Sequence, residues 1–294
     1  MPTTQRYFIE LAYNGTNYHG WQIQPNAVTV QELLDKALST LLRTPIETIG
    51  AGRTDTGVHA KQLYAHFNVM ENGIGKMEDV DIMENGIGNM EDVKTPPSSI
   101  LPDTSSISQT PSSILSDTSS ISLRGLNALL PYDIAVKRII TVHADAHARF
   151  DATQRSYEYH IHFEKDPFMQ NLSWQVRDIP DVELMNQAAQ IIMEYTDFSA
   201  FSKSNTQVFT NNCKITRAEW IMDNGKLTFH ISADRFLRNM VRAIVGTLME
   251  VGKGNIQPED VRKIIESKNR SNAGTSVPAC GLYLTEVKYP YIAP

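Results

Sequence analysis

The alternation of apolar and polar residues predicts strands and helices throughout the chain. Residues 6–13 (RYFIELAY) alternate between the two kinds of side chain, as a half-buried strand does. Residues 29–42 place apolar side chains at 30, 33, 34, 37, 38 and 41, the spacing of an amphipathic helix, with Thr29 as candidate N-cap. The same patterns predict further strands at 46–51, 63–69, 134–142, 156–163, 214–222, 226–232 and 281–287, and helices at 123–130, 182–194, 234–251 and 258–266. Because helices fall between pairs of strands, we expect an α+β fold with a mostly antiparallel mixed β-sheet flanked by helices.

One stretch, residues 70–122, does not fit this pattern. MENGIGKMEDV at 70–80 recurs as MENGIGNMEDV at 83–93, and TPPSSILPDTSSIS at 95–108 recurs as QTPSSILSDTSSIS at 109–122. Such short, polar duplications are too few for a solenoid and bury too little apolar area to offset the entropy of ordering. We therefore predict a low-complexity acidic insert that is disordered or weakly ordered at the surface. An acidic arm that binds a partner is the alternative.

The insert changes the meaning of the net charge, which is −6 for the whole chain. It holds nine acidic residues and two lysines, so the remainder is close to neutral and its arginines can still form a basic face. No run of 18 apolar residues and no export signal is present, so we expect a cytoplasmic protein without a membrane span. Cys213 and Cys280 lack metal-ligand spacing, so we predict neither a disulfide framework nor a metal site.

The glycine-rich stretch GAGRTDTGVHA at 50–60 is the first candidate for chemistry. It places the carboxylate of Asp55 between Arg53 and His59, with strand-like sequence on both sides. Glycines at 50, 52 and 57 allow positive φ angles and a close approach to a ligand. The alternative is a tight turn whose aspartate caps its own backbone.

A second signal lies in the helix predicted at 234–251, where Arg235, Arg238 and Arg242 share one face. Arginine forms bidentate hydrogen bonds with phosphate or carboxylate. A charged helix face is more often simply solvated. However, Arg242 sits inside the apolar run MVRAIVG, where an unpaired charge is costly, so we predict a carboxylate or phosphate partner for it.

A third signal is HARFDATQRSYEY at 147–159, where Arg149 and Arg155 are interleaved with aromatic residues at the start of a predicted strand. Arginines beside exposed aromatic rings can hold phosphates while a base stacks on a ring. The alternative is that the tyrosines belong to the core and their hydroxyl groups are hydrogen-bonded there.

Six blocks carry a resemblance that covers the chain outside 70–122. They are YNGTNYHGWQ at 13–22, AGRTDTGVHA at 51–60, LNALLPYDIAV at 126–136, HARFDATQRSYEY at 147–159, FLRNMVRAIVGTLMEVG at 236–252 and GLYLTEVKYP at 281–290. In this order they resemble the bacterial tRNA pseudouridine synthase A family. The resemblance implies the pseudouridine synthase fold, with two ferredoxin-like halves and the active cleft between them. Residues 1–150 would carry the catalytic aspartate, and residues 151–294 the tyrosine and the arginine of the site.

The resemblance also implies a function: the conversion of uridine to pseudouridine at positions 38, 39 and 40 of the tRNA anticodon stem-loop, by a homodimer without a cofactor. Asp55 matches the family's catalytic aspartate, the nucleophile, and Arg242 matches the arginine that pairs with it. Tyr157 matches the tyrosine that stacks on the target uracil, and Arg53 the arginine that helps to displace the target nucleotide. Phosphate contacts that position the RNA without reading its sequence are expected from three further arginines, Arg149, Arg235 and Arg238.

These residue types suit the reaction. Pseudouridine formation breaks the C1′–N1 bond, turns the uracil and rejoins it through C5. A carboxylate can attack the sugar or the base, or remove a sugar proton, and each route requires the ionised form, which an arginine partner favours. We therefore expect Arg242 to be the partner of Asp55. Because the uridine lies in a stacked stem it must be flipped out, and Tyr157 can receive it.

Three departures from the family leave efficiency and substrate range open: Thr56 where alanine is usual, Ala146 where phenylalanine is usual, and the insert. Two other functions also stay open. The triplet DTG at 55–57 is the signature of aspartic proteases, but these need two such carboxylates and the chain has one DTG. A non-catalytic tRNA-binding or tRNA-folding protein of the same fold would not require Asp55.

Overall fold

The computed structural model describes residues 4–70, 121–202 and 209–293. Within these ranges the chain forms nine strands and five α-helices. In chain order they are β1 (Thr4–Tyr13), α1 (Val30–Leu42), β2 (Ile49–Gly50), β3 (His59–Met70), α2 (Leu123–Leu129), β4 (Ile134–Val142), β5 (Gln154–His162), β6 (Trp174–Gln175), α3 (Val182–Met193), β7 (Ile215–Asp223), β8 (Lys226–Ala233), α4 (Met240–Gly252), α5 (Asp260–Glu266) and β9 (Leu282–Lys288). The predicted α+β class is confirmed.

All nine strands belong to one sheet, in the order β4-β1-β3-β9-β5-β8-β7, with β2 beside β3 and β6 beside β5. Two strand pairs, β3–β9 and β5–β6, are parallel, and the others are antiparallel, as predicted. In the β3–β9 pair His59 lies opposite Tyr283. This pair joins strands from the first part of the chain to strands from the last. Since β3 begins four residues after Asp55, the fold places Asp55 at this join.

Two clusters of buried apolar side chains hold the helices on the sheet. One draws mainly on β1, β3, β4 and α1, and the other on β5, β7, β8, α3 and α4. In α1, Leu34 and Leu38 are fully buried, and the Thr29 hydroxyl accepts the N–H of Glu32 at 3.4 Å as the predicted N-cap. A division of the chain at residues 150 and 151 stays a prediction, because the sheet continues across it.

The predicted helix at 234–251 begins later than expected, at Met240. The reason is Asn239, whose φ of 66° is left-handed and cannot continue a helix backwards. Arg235 and Arg238 therefore precede α4, and the prediction that they share a helix face with Arg242 is wrong.

The predicted strand at 46–51 is reduced to β2, Ile49–Gly50. Its first residues bond to side chains of α1 instead of to a strand. The N–H of Ile46 donates to Ser39 Oγ at 2.8 Å, and the N–H of Thr48 donates to Asp35 Oδ1 at 3.0 Å. Side-chain acceptors on a helix thus replace the strand ladder here.

Residues 71–120, with the predicted disordered acidic insert, lie outside the described residues. The description resumes at Ile121, which is buried in the core, and Ser122 Oγ accepts the N–H of Gly125 at 3.1 Å as the N-cap of α2. The last two residues of the repeat region therefore belong to the folded part of the chain. Among the helices of the described ranges, none has the length and apolar character needed to cross a membrane.

Candidate active site

Asp55 lies in the loop between β2 and β3. This loop packs against the segment that follows β1. Gly20 in that segment has a φ of +86°, and a Cβ there would lie 2.2 Å from the carbonyl oxygen of Thr54, so only glycine fits. Gly57 has a φ of +77°, and its N–H donates to the carbonyl oxygen of Tyr18 at 3.3 Å. The sequence blocks at 13–22 and 51–60 thus form one unit, which fixes the backbone on both sides of Asp55.

The three glycines of the loop have different roles. Only Gly57 takes the positive φ angle predicted for all three. Gly50 is required for space, because a Cβ there would lie 2.5 Å from the indole Nε1 of Trp21. Gly52 has room for a Cβ, whose nearest neighbour would be Arg155 Nε at 4.0 Å.

His59 belongs to the scaffold of the site. It is 1% exposed, and its Nδ1 accepts the N–H of Gly15 at 3.0 Å, which assigns the ring proton to Nε2. Nε2 lies 3.1 Å from the carbonyl oxygens of both Asn171 and Cys280. Burial lowers the pKa of His59, which favours the neutral ring that these contacts need. The residue ties the loop of Asp55 to the last third of the chain.

Asp55 faces two arginines. Arg242 Nη1 lies 3.5 Å from Asp55 Oδ2, and Arg238 Nε lies 3.8 Å from Asp55 Oδ1. The side chain of Arg242 is 21% exposed and that of Arg238 is 59% exposed, so solvent screens the first pair less. The structure thus brings Arg242 to the carboxylate with which it was expected to pair.

Arg242 is held in place by the backbone before β9. Its Nε donates to the carbonyl oxygen of Val277 at 2.7 Å, and the N–H of Val277 donates to the carbonyl oxygen of Arg242 at 3.3 Å. One residue earlier, Ser276 Oγ accepts from Asn239 Nδ2 at 2.5 Å. The guanidinium therefore has one nitrogen anchored and another facing Asp55. The role of Val277 could not be predicted from the sequence, since a backbone carbonyl acceptor leaves no side-chain signature.

Tyr157 lies half-buried on β5, close to Asp55. Its ring meets Phe236 edge-on, with 5.1 Å between centroids and 89° between planes. Burial raises the pKa of Tyr157 to about 12, an effect that the charge of Asp55 reinforces and that of Arg155 opposes, so the hydroxyl keeps its proton at neutral pH. Tyr159, by contrast, is fully buried and donates to the carbonyl oxygen of Pro278 at 2.8 Å. The alternative of core tyrosines therefore applies to Tyr159 alone.

The remaining predicted arginines lie in two places. Arg53 and Arg149 line one pocket beside the loop, whose lining includes neither Asp55 nor Tyr157. Arg235 is half-buried before α4, where its N–H donates to Asp234 Oδ1 at 2.7 Å. The structure thus gathers Tyr157, Arg238 and Arg242 near Asp55, whereas Arg53 and Arg149 line a pocket whose lining does not include Asp55.

Arg155 has a role that its motif did not indicate. Its Nη2 donates to the carbonyl oxygens of Ala51 and Arg149, each at 2.8 Å, and its Nη1 donates to that of Asp234 at 3.0 Å. Burial lowers the pKa of Arg155. The three carbonyl groups belong to the segments that carry Asp55, Arg149, and the pair Arg235 and Arg238. Through these three hydrogen bonds Arg155 holds the three segments of the site together.

The chain is similar in sequence to proteins of known family. The tRNA pseudouridine synthase A of Bacteroides fragilis is 46% identical over 289 residues, which cover 98% of this chain and 98% of that protein. The protein of the same name from Acetivibrio thermocellus is 36% identical over 281 residues, which cover 95% and 97%. The chain belongs to the tRNA pseudouridine synthase A family.

The family profile described as tRNA pseudouridine synthase matches residues 189–290, a range that includes Arg242. Membership in the tRNA pseudouridine synthase A family confirms the resemblance inferred from the six blocks, and it does not favour the protease or the non-catalytic alternative. The geometry also disfavours the protease. In the part of the chain that the structure describes, the charged partners of Asp55 are two arginines, whereas an aspartic protease needs a second carboxylate.

Proposed function

We propose that this chain is a tRNA pseudouridine synthase that isomerises uridine at positions 38, 39 and 40 of the anticodon stem-loop. The observation that carries the proposal is the pairing of Asp55 with Arg242 beside Tyr157, in a chain 46% identical to a protein named tRNA pseudouridine synthase A. The first half of the chain, residues 1–150, supplies the aspartate. The second half, residues 151–294, supplies the tyrosine and the arginine.

In the proposed reaction Asp55 acts as an ionised carboxylate, either as a nucleophile on the sugar or the base, or as the acceptor of a sugar proton. The C1′–N1 bond breaks, a C1′–C5 bond forms, C5 loses a proton and N1 gains one, so the product is an isomer of the substrate. Arg242 holds the carboxylate: its Nε is fixed on Val277, and its Nη1 faces Oδ2. A carboxylate held in this way needs little reorganisation in the transition state.

The target uridine must leave its stack before the carboxylate can reach it. Tyr157 is the proposed platform for the uracil, with Phe236 supporting its ring edge-on. Its hydroxyl stays protonated at neutral pH, because burial raises its pKa to about 12. Backbone phosphates are the proposed ligands of the surrounding arginines, Arg53, Arg149, Arg235 and Arg238.

The position of modification is tested with three tRNA transcripts, each with uridine at only one of positions 38, 39 and 40, and a control with cytidine at all three. Chemical mapping after incubation is expected to find pseudouridine at the single uridine of each transcript and nowhere in the control. Modification outside the anticodon stem-loop would contradict the assignment of the substrate.

We also propose that the protein acts as a cytoplasmic homodimer. The mass of one chain is 33.0 kDa. Sedimentation equilibrium of the protein alone is expected to give twice this mass at micromolar concentration. A monomer that forms pseudouridine at full rate would refute the dimer and leave the activity intact.

A further inference from the structure

The pocket lined by Arg53 and Arg149 contains neither the carboxylate nor the tyrosine of the chemistry proposed above. Its volume is about 140 Å³, and its lining includes Trp21, Gln22 and Glu47 besides the two arginines. A cavity of about 150 Å³ admits one six-membered ring. The volume of the pocket is thus about that needed by one pyrimidine ring.

The pocket presents an unused donor from a residue of the core. Trp21 is 1% exposed, yet in the described part of the chain its indole N–H has no hydrogen-bond partner. The indole N–H of Trp220 is completely buried without a partner, whereas the indole N–H of Trp21 is not completely buried. The Trp21 nitrogen lies against Gly50, where a Cβ would come within 2.5 Å of it. A ligand with an acceptor group can satisfy this donor, whereas a purely apolar ligand cannot.

Two cations flank this donor. Within the described ranges, neither Arg53 nor Arg149 has a carboxylate within 4.0 Å, and Arg149 packs over the ring of Phe150 at 5.9 Å. Glu47 is the acid in the lining. Gln22 keeps its carbonyl oxygen available, since its amide nitrogen donates to Gln31 Oε1 at 2.9 Å. The lining therefore suits an anion together with a ring that both accepts and donates hydrogen bonds.

The walls of the pocket are fixed before a ligand arrives. Arg155 Nη2 bonds to the carbonyl oxygen of Arg149, which lines the pocket, and to that of Ala51, which lies between two lining glycines. On the other side the buried Gln31 accepts from Gln22 and donates to the carbonyl oxygen of Thr48 at 2.6 Å. A site held in this way loses little side-chain entropy on binding.

We propose that this pocket is a second nucleotide subsite, which holds the nucleotide next to the target uridine. The inference rests on the proposed function. The phosphate lies between Arg53 and Arg149, an acceptor of the base meets the indole N–H of Trp21, and a base N–H meets the amide oxygen of Gln22. Arg53 and Asp55 are two residues apart, so their Cα atoms are at most about 7 Å apart, the reach of one nucleotide. A neighbour held here no longer stacks on the target uridine, which makes flipping less costly.

The first test observes the indole N–H of Trp21 directly by NMR, in Asp55→Asn protein labelled with ¹⁵N at its three tryptophans. The probes are the dinucleotide UpU and inorganic phosphate. UpU is expected to shift the Trp21 signal and leave those of Trp174 and Trp220 in place, and phosphate is expected to have a smaller effect. No shift of Trp21 at saturating UpU would overturn the subsite. Because Asp55→Asn protein is used, this result does not depend on turnover.

The second test uses kinetics of tRNA modification. Gly52 lines the pocket and has room for a Cβ, so Gly52→Leu adds a bulky side chain at the pocket wall, and Gly52→Ala measures the effect of backbone restriction alone. We expect Gly52→Leu to raise KM for tRNA about tenfold above that of Gly52→Ala, with similar kcat. Equal KM values would overturn the subsite. Absence of pseudouridine with the unmutated chain would instead overturn the proposed function.

A charge variant makes the second test sharper. Glu47→Gln removes the acid from the lining and is expected to lower KM for tRNA severalfold, since the phosphate no longer faces a carboxylate. Glu259→Gln makes the same change of charge at an exposed position ahead of α5 and serves as the control. An equal effect of the two variants would indicate only general attraction of RNA, and would count against the subsite.

Discussion

Arg242 lies 3.5 Å from Asp55, although 187 positions separate the two residues in the chain. The contact exists because β3 and β9 pair in the middle of the sheet and because Val277, just ahead of β9, accepts the Nε proton of Arg242 at 2.7 Å. The half-buried guanidinium thus acts on the carboxylate from a fixed position.

Arg242→Leu is expected to lower kcat by about 100-fold or more while tRNA binding at low salt persists, because the variant loses the group that holds the carboxylate. Single-turnover rates and filter binding measure the two effects separately. Arg262→Leu is the control. Arg262 lies on α5 in an exposed position, and its guanidinium pairs with the carboxylate of Glu194 at 2.5 Å. Wild-type kcat in Arg242→Leu would show that Asp55 works without its partner.

Arg155→Lys is expected to lower kcat/KM for tRNA by about 100-fold, since one ammonium group cannot replace the two nitrogens that bond to three carbonyl oxygens. Both kcat and KM change, because those carbonyl groups belong to the Asp55 loop and to the segments of the arginines proposed to bind RNA. Arg6→Lys is a matched control, as Arg6 also donates to a carbonyl oxygen, that of Ala146 at 2.9 Å. Full activity of Arg155→Lys, with thermal melting as the check of folding, would show that charge alone is needed.

Protonation of His66 is expected to lower the free energy of unfolding at acid pH. It is 3% exposed, its Nδ1 accepts the N–H of Ala148 at 3.1 Å, and burial together with the nearby charges of His147 and Arg6 lowers its pKa to about 4. This pKa is below the value of 6.5 that histidine has in the unfolded chain. The stabilisation that neutral His66 gives to the folded state is therefore complete above pH 6.5 and is lost as the pH falls toward 4.

The loss from His66 is expected to be about 2 to 3 kcal/mol of unfolding free energy. Urea denaturation at pH 7.5 and pH 4.5 measures it. His66→Asn is expected to flatten this pH dependence, because its amide can still accept a hydrogen bond but does not titrate. His19→Asn, a change at an exposed position, is expected to keep the wild-type dependence. The same dependence in His66→Asn would assign the effect to other groups.

Much of the fold could be predicted from the sequence, because burial imposes a period on the chain. The prediction for β4 matches its observed range, Ile134–Val142, and the N-cap of α1 is the predicted Thr29. The errors arose where a single backbone angle or a side-chain acceptor decides the outcome. Asn239 delays the start of α4, and Ser39 and Asp35 replace the strand partners before β2.

The candidate site could be predicted in part. An arginine inside an apolar run needs an anion, which is why Arg242 could be assigned to Asp55. Contacts to backbone carbonyls could not be predicted, since any residue can supply them. For that reason the anchoring of Arg242 on Val277 and of Arg155 on three carbonyl groups became visible only in the structure. Likewise, nothing in the sequence separated the buried His59 from a reactive one.

The proposed function requires that the carboxylate of Asp55 performs the reaction. A tRNA transcript labelled with tritium at C5 of its uridines measures it most directly, because tritium is released when C5 joins the sugar. Asp55→Asn, which keeps the shape of the side chain, is expected to bind tRNA like the unmutated chain and to release no tritium above background, with no pseudouridine on chemical mapping. Tritium release at the unmutated rate by Asp55→Asn would show that the carboxylate is not needed for the reaction.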